Sequence, residues 1–272
     1  MDIKEVIQQN VAALSAKVCR DCPLPSPERL GEVMRLVRAL LFPEFFDSDV
    51  TCATSREYFI GVNLERLYEV LREQIACVLP APGEAERIST EFLAGLPELR
   101  RLLLTDVEAV FRNDPAVDNR GEVIFCYPGV QAMTNYRTAH ALLRLGVPVI
   151  PRILTERAHS RTGIDIHPGA TIGEYFAIDH GTGVVIGQTC IIGNHVTIYQ
   201  GVTLGSRNFT LNEEGHPVNL PRHPIIEDDV TIYSNASVLG RITIGRGAVI
   251  GGNVWVTHSV PAGARITQQG RE

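Results

Sequence analysis

Apolar residues recur along this chain with two different periods. In the first half the steps are three and four. Leu64, Leu67, Leu71, Ile75 and Val78 fall on one helical face, and Leu99, Leu102, Leu103, Val107, Val110 and Phe111 on another. The stretch Pro80 to Gly83 breaks the chain between them. Val130, Met133, Tyr136, His140 and Leu143 predict a further helix between Gly129 and Leu145. After the turn Gly146-Val147-Pro148 a short helix is expected to about Ser160. From Ile164 onward the period becomes six. Ile166, Ile172 and Ile178 keep that step, then Ile186, Ile192, Ile198 and Leu204, then Ile226, Ile232, Val238, Ile244, Ile250 and Val256. Two positions before the later members sit small or apolar residues such as Val184, Cys190, Val196, Val202, Val230, Ala236 and Ala248. A six-residue period fits neither an amphipathic helix nor a run of hairpins. It fits a parallel β-helix, in which each hexad supplies one short strand and one corner and about three hexads close a triangular coil. The fold expected is therefore α+β, with a helical domain over 1–160 and a β-helix over 161–272.

The places where a solenoid departs from its repeat are where chemistry is expected. Between Ile178 and Ile186 the step is eight, and the insertion holds Asp179-His180-Gly181-Thr182-Gly183. Between Leu204 and Ile226 it is 22, so about 16 residues leave the repeat as a polar loop within 205–224. That loop ends in Pro221-Arg222-His223-Pro224, and loops of this length are commonly functional. Histidine is the natural general base near neutral pH, and a carboxylate on its other ring nitrogen fixes the tautomer. Asp165 precedes His180 by 15 residues, nearly one coil, so the two can sit on neighbouring coils.

Composition narrows the classes. A formal charge of −6 argues against a nucleic-acid surface, while leaving room for a local basic pocket. No apolar run reaches the roughly 18 residues that would span a bilayer. The opening MDIKEVIQQN does not read as a signal peptide, so the cytoplasm is the expected compartment. Cys19 and Cys22 have metal-like spacing but no second ligand pair, and they read as reduced structural thiols. Cys190 falls on an inward hexad position.

Several runs carry a resemblance. Asp165-Ile166-His167-Pro168-Gly169-Ala170-Thr171-Ile172-Gly173 resembles an entry into the hexapeptide β-helix. Asp179-His180-Gly181-Thr182-Gly183 with Val184-Val185-Ile186-Gly187 resembles a catalytic segment. Val202-Thr203-Leu204-Gly205 and Arg222-His223-Pro224 resemble the two ends of an active-site loop. Asn113 to Asp118 and Tyr136-Arg137-Thr138-Ala139-His140 resemble helical-domain signatures. Together, over about residues 95 to 260, the chain resembles the serine O-acetyltransferases, hexapeptide-repeat enzymes of cysteine synthesis.

The resemblance implies a left-handed coil and acetyl transfer from acetyl-CoA to the hydroxyl of L-serine, by direct attack and with no metal. It implies His180 as general base oriented by Asp165. Asp114 and Asp179 would hold the serine ammonium, and Arg222 and His223 its carboxylate. Coenzyme A contacts would come from Gly205, Ser206, Ser234, Ala236 and Gly252. It further implies a homotrimer or a dimer of trimers with sites between subunits. Cysteine synthase is a family partner, but the docking isoleucine is missing from the ending Gln269-Gly270-Arg271-Glu272. Other departures fall on the coenzyme side: Leu204-Gly205-Ser206 replaces a Leu-Gly-Gly, Gly187-Gln188 a Gly-Glu, and Ile232-Tyr233-Ser234-Asn235-Ala236 a glycine- and alanine-rich stretch.

Alternatives stand beside this reading. A different acyl-CoA or acceptor would suit the altered coenzyme side. A zinc hydratase would need His180, His195 and His223 to converge, and a non-catalytic scaffold would need none of these groups. Asp114 could be a turn at a helix end, Asp165 a corner cap, and Arg222 a surface cation. His195 and His258 read as surface residues, and His167 as structural.

Overall fold

The structure, a computed structural model, describes residues 2–15, 24–46, 53–208, 210–268 and 270–271. The Cys19-Cys22 pair lies outside the described residues. Nine helices are formed among them: α1 (Ile3–Leu14), α2 (Pro27–Leu41), α3 (Pro43–Phe46), α4 (Ala53–Val78), α5 (Glu84–Ala94), α6 (Leu96–Asn113), α7 (Arg120–Cys126), α8 (Pro128–Arg144) and α9 (Ile150–Thr162). The faces read from the three- and four-residue steps are those of α4, α6 and α8. Leu143 differs: it is 38% exposed, off the buried stripe of α8. Ser26 starts α2 by accepting the Arg29 N–H, with Pro27 in the first turn, where its missing N–H costs nothing. Gly95 ends α5 and begins α6, with Pro97 just inside.

Five coils follow. Each coil contributes to three parallel sheets that form the faces of a triangular prism. The first face stacks β1 (Asp165–Ile166), β4 (Val185–Ile186), β7 (Thr203–Gly205), β10 (Ser237–Leu239) and β13 (Trp255–Val256). The second stacks β2 (Thr171–Ile172), β5 (Ile191–Ile192), β8 (Ile225–Ile226) and β11 (Thr243–Ile244). The third stacks β3 (Ala177–Asp179), β6 (Thr197–Tyr199), β9 (Thr231–Ile232), β12 (Val249–Ile250) and β14 (Arg265–Thr267), with β15 (Gly270–Arg271) running antiparallel at its end. The inward aliphatics meet their copies across coils: Ile166↔Ile186↔Leu204↔Val238↔Val256 is one ladder, and all five are buried. Cys190 lies in the same core, and burial pushes its thiol up to about 12.

The register accounts for both interruptions. Uninterrupted coils step by 18 residues, as in Ile226↔Ile244 and Ile232↔Ile250. The step is 20 across the Asp179–Gly183 insertion (Ile166↔Ile186) and 34 across the loop (Ile192↔Ile226). The loop therefore leaves at the corner between the first and second faces, and the coil closes behind it in register.

The helical domain is bonded to the first coil rather than merely resting on it. Arg137 on α8 and Asp106 on α6 form a buried two-bond ion pair, 2.6 and 2.8 Å. Arg137 also donates to the Gly173 carbonyl at 2.7 Å, and Asp106 accepts the Phe176 N–H. Tyr136 donates to the Ala170 carbonyl at 2.6 Å, and His140 Nδ1 lies 2.8 Å from the Pro168 carbonyl. The Tyr-Arg-Thr-Ala-His run thus satisfies backbone groups that an uncovered solenoid end would leave unpaired. Gly129 admits the close approach of α8, since a Cβ there would stand 2.5 Å from the Ile178 carbonyl oxygen.

Candidate active site

The two breaks in the repeat lie on the two edges of the first face. At the edge between the third and first faces, the inserted pair of residues pushes the corner outward. His180 sits there at φ 56° with its side chain 72% exposed, and Gly181 and Gly183 also take positive φ. Gly181 suits this corner, because a side chain at its φ of 86° would be strained and a Cβ would crowd Ile164 Cδ1 at 2.5 Å. The corner is tied down by Gly183 N–H to the Gly163 carbonyl and by Gly201 N–H to the Thr182 carbonyl, both 2.9 Å.

Beside this corner Asp114 and Asp179 line one crevice with Asn113, Thr197 and Tyr199. His180 Nδ1 is 3.8 Å from the Asp179 carboxylate. Asp114 caps the end of α6. Its carboxylate accepts the Tyr127 hydroxyl at 2.5 Å and the Ala116 N–H at 2.8 Å. Those bonds, with help from His180, hold its carboxyl below the usual range and push the Tyr127 phenol up. Asp114 is therefore both a turn at a helix end and an anion facing the crevice.

Among the described residues of one chain, no ion pair joins Asp165 to His180. The Asp165 carboxylate lies 3.9 Å from Arg152 and shares a cluster with Glu156 and His159. The physical reason is register: Asp165 pairs with Val185 on the flat of the first face, whereas the insertion carries His180 out at the corner.

The opposite edge of the same face holds the cationic half. His223 is 7% exposed and packs under Gly187, where any Cβ would overlap its ring. Thr189 organises the returning loop: its hydroxyl accepts from the Arg222 and His223 N–H groups and lies 2.8 Å from His223 Nδ1. Arg241 donates to the carbonyls of Thr189 and His223. Burial, then the positive charges of Arg222, His167 and Arg241, press the His223 imidazole down to about 4. Its ring is neutral at physiological pH. Arg222 reaches the Gln188 amide oxygen at 3.3 Å. Tyr127, Thr189 and Arg241 carry no motif in the sequence; they are found through contacts across coils.

The residues expected on coenzyme A divide between the two edges. Ser234 and Gly252 continue the His180 edge, where successive corners are bonded into a column: Gly201 N–H to Thr182, Asn235 N–H to Gln200, Asn253 N–H to Ser234. Tyr199 and Tyr233 stack along it at 5.1 Å. Gly205 and Ser206 lie where the loop leaves the other edge. The Ala236 side chain is wholly inside the core, so it contributes clearance rather than a contact. His195 stacks on Tyr175 at a third corner, away from both His180 and His223. His167 Nδ1 accepts the Gly169 N–H, and His195 and His258 are exposed, as expected.

Comparisons with known proteins agree with this architecture. Residues 223–258 match the family model described as bacterial transferase hexapeptide (six repeats). A plasmid serine acetyltransferase of Synechococcus elongatus is 49% identical over 262 residues, 90% of this chain and 82% of the relative. The Bacillus subtilis serine acetyltransferase is 48% identical over 161 residues, 59% of this chain and 70% of the relative. Among solved structures, native serine acetyltransferase 1 of Entamoeba histolytica superposes with a TM-score of 0.79 at 35% identity, covering 97% of this chain and 94% of that one. The same Entamoeba enzyme in complex with L-cysteine gives a TM-score of 0.78 at 34% identity, covering 97% of each chain. Relatedness over nine-tenths of its length, a helical domain bonded to a left-handed hexapeptide β-helix, and breaks in the repeat at His180 and Arg222 make this chain a member of the serine acetyltransferase family.

Proposed function

We propose that the chain transfers an acetyl group from acetyl-CoA to the hydroxyl of L-serine, in a site completed between two copies of a trimer. The observation that carries this reading is the division of the amino-acid pocket between the two edges of one face. Serine presents one cation and one anion joined through a single carbon. Its pocket needs carboxylates at one end and a guanidinium at the other. Asp114 and Asp179 lie on one edge and Arg222 and His223 on the opposite one. From Gly183 to Gly187 the face spans four residues, about 13 Å of strand. One serine cannot bridge that in a single chain. A rotated copy of the prism places one edge against the other, and a closed ring of such contacts is the form heterologous packing takes. The exposed apolar residues Val185 and Trp255 on the first face and Ile191 on the second give such packing something to bury.

In the assembled site His180 takes the proton from the serine hydroxyl as the oxygen attacks the thioester carbonyl. The new C–O bond forms as the C–S bond breaks, and the proton passes to the departing coenzyme A thiolate. Asp179 is the carboxylate beside the His180 ring. The column from Thr182 through Gln200 and Ser234 offers an extended ligand a straight path to that ring. Neutral His223 donates or accepts a hydrogen bond without adding charge, leaving Arg222 to meet the carboxylate.

The test separates base from anchor. His180→Asn is expected to cost about 100- to 10,000-fold in kcat while coenzyme A binding survives in calorimetry. Arg222→Ala is expected to act mainly on the KM for serine. Near-normal turnover of His180→Asn would refute the base, and an unchanged serine KM in Arg222→Ala would refute the amino-acid pocket.

A further inference from the structure

The helical domain contains a cavity of about 390 Å³, lined by residues of α2, α3, α4, α8 and α9 and by none of the site residues described above. That size lies within the range of about 300–1,000 Å³ usual for small-molecule sites. Four arginines line it: Arg35 and Arg38 from α2, Arg157 and Arg161 from α9. Each pair is spaced to share one helix face, where like charges repel. Arg35 approaches Glu32 at 4.0 Å. Among the described residues, Arg38, Arg157 and Arg161 form no ion pair with a carboxylate. Arg38 lies over the Phe46 ring at 4.4 Å, and Arg157 donates to the Pro27 carbonyl. In a chain of net charge −6, a cavity lined by four guanidiniums, three of them beyond ion-pair distance of any carboxylate among the described residues, is an arrangement that an anion would complete; Glu28 is a carboxylate whose charge Arg157 feels from further off.

A second observation concerns one of these cations. Gly31 lies in the first half of α2, where glycine weakens a helix. The Arg157 guanidinium rests over it: a Cβ there would lie 2.6 Å from Nη2, so a side chain at 31 would push the flexible head aside. The remaining lining divides into apolar surface from Met34, Phe46 and Phe59 and amides from Asn63, Gln131 and Asn135. Planar guanidinium forks match phosphate oxygens, flat apolar walls match a ring, and amides match the polar edge of a heterocycle.

We propose that this cavity binds a nucleoside monophosphate, with the phosphate between Arg38, Arg157 and Arg161 and the base against Phe46 and Phe59. The probe is AMP, titrated by calorimetry into the full chain already saturated with coenzyme A, so that the acetyl-transfer site is filled. Adenosine is the uncharged control. Arg161→Gln alters an exposed side chain, and Arg38→Gln tests the inner cation; circular dichroism checks that both are folded. AMP should bind wild type and raise its melting temperature, adenosine should do neither, and each variant should weaken AMP binding about tenfold to a hundredfold. The proposal fails if AMP does not bind, if adenosine binds as well as AMP, or if AMP binding is unchanged in folded Arg161→Gln.

Discussion

Chains carrying His180→Asn and chains carrying Arg222→Ala should each be poor enzymes, yet recover activity when the two are refolded together. The first loses the base, for about 100- to 10,000-fold in kcat. The second loses charge-assisted bonds to the serine carboxylate, about 1.5–3 kcal/mol, or roughly tenfold to a hundredfold in kcat/KM at low serine. In a shared site the His180 edge comes from one copy and the Arg222 edge from its neighbour. A site is intact when the first copy is an Arg222→Ala chain and the second a His180→Asn chain. Equal amounts mixed at random therefore restore about a quarter of the sites. The mean of the two parents assayed alone stays below about a twentieth of wild type under the same losses. The assay is thiol release from acetyl-CoA at serine well below KM. Were one protomer's two edges to form the pocket, as a fold of the loop back over the first face would require, mixing would return only that parental mean. That result would overturn the shared site, whatever the single variants showed.

Three further outcomes follow from the geometry. Asp106→Asn leaves the buried Arg137 guanidinium uncompensated and should cost about 3–5 kcal/mol in urea unfolding; a loss below about 1 kcal/mol would show that the pair does not join the domains. His223 titrates near 4 in the fold and near 6.5 when unfolded, so between those values the unfolded chain holds the extra proton and stability falls as pH falls. His223→Gln should therefore lose less melting temperature than wild type between about pH 7 and about pH 5, and equal losses would contradict the assignment. Deleting Asn208 to Val218 removes a small exposed hairpin that closes through Leu211↔Pro217, so circular dichroism should be unchanged while turnover falls; unchanged kinetics would make the loop dispensable.

Much of this architecture is written in the spacing of residues. The inward ladder is legible because each coil repeats the same demand, one aliphatic every six positions. The breaks at Asp179–Gly183 and at the loop are legible because a strict repeat makes any exception visible. The period changes where α9 gives way to β1, and residue 160 itself lies in the last turn of α9. What escapes sequence reasoning has a common cause. Thr189 meets His223 across 34 positions, and Arg241 meets Thr189 across 52. Such contacts depend on how loop length sets the register. Asp165 shows the same effect: it lies 15 residues before His180, and within one chain the two-residue insertion carries the histidine to a corner while Asp165 stays on the flat. In the helical half, the apolar periodicity locates α4, α6 and α8, whereas α1 buries none of its residues and offers no tertiary reason for its pattern.

The bonded helical cap has a consequence for how copies of this chain can associate. A stack of parallel coils is a template at each end, ready to seed another coil and grow into a fibre. Here the first coil spends its carbonyls at Pro168, Ala170 and Gly173 on His140, Tyr136 and Arg137. At the far end, β15 reverses direction against β14, and a reversed strand cannot pass on a parallel register. With axial growth stopped at the first coil and interrupted at the last, the side faces of the prism are left as the surfaces on which the trimer proposed above would form. A rotation between faces that closes gives a finite ring; one that does not gives a filament.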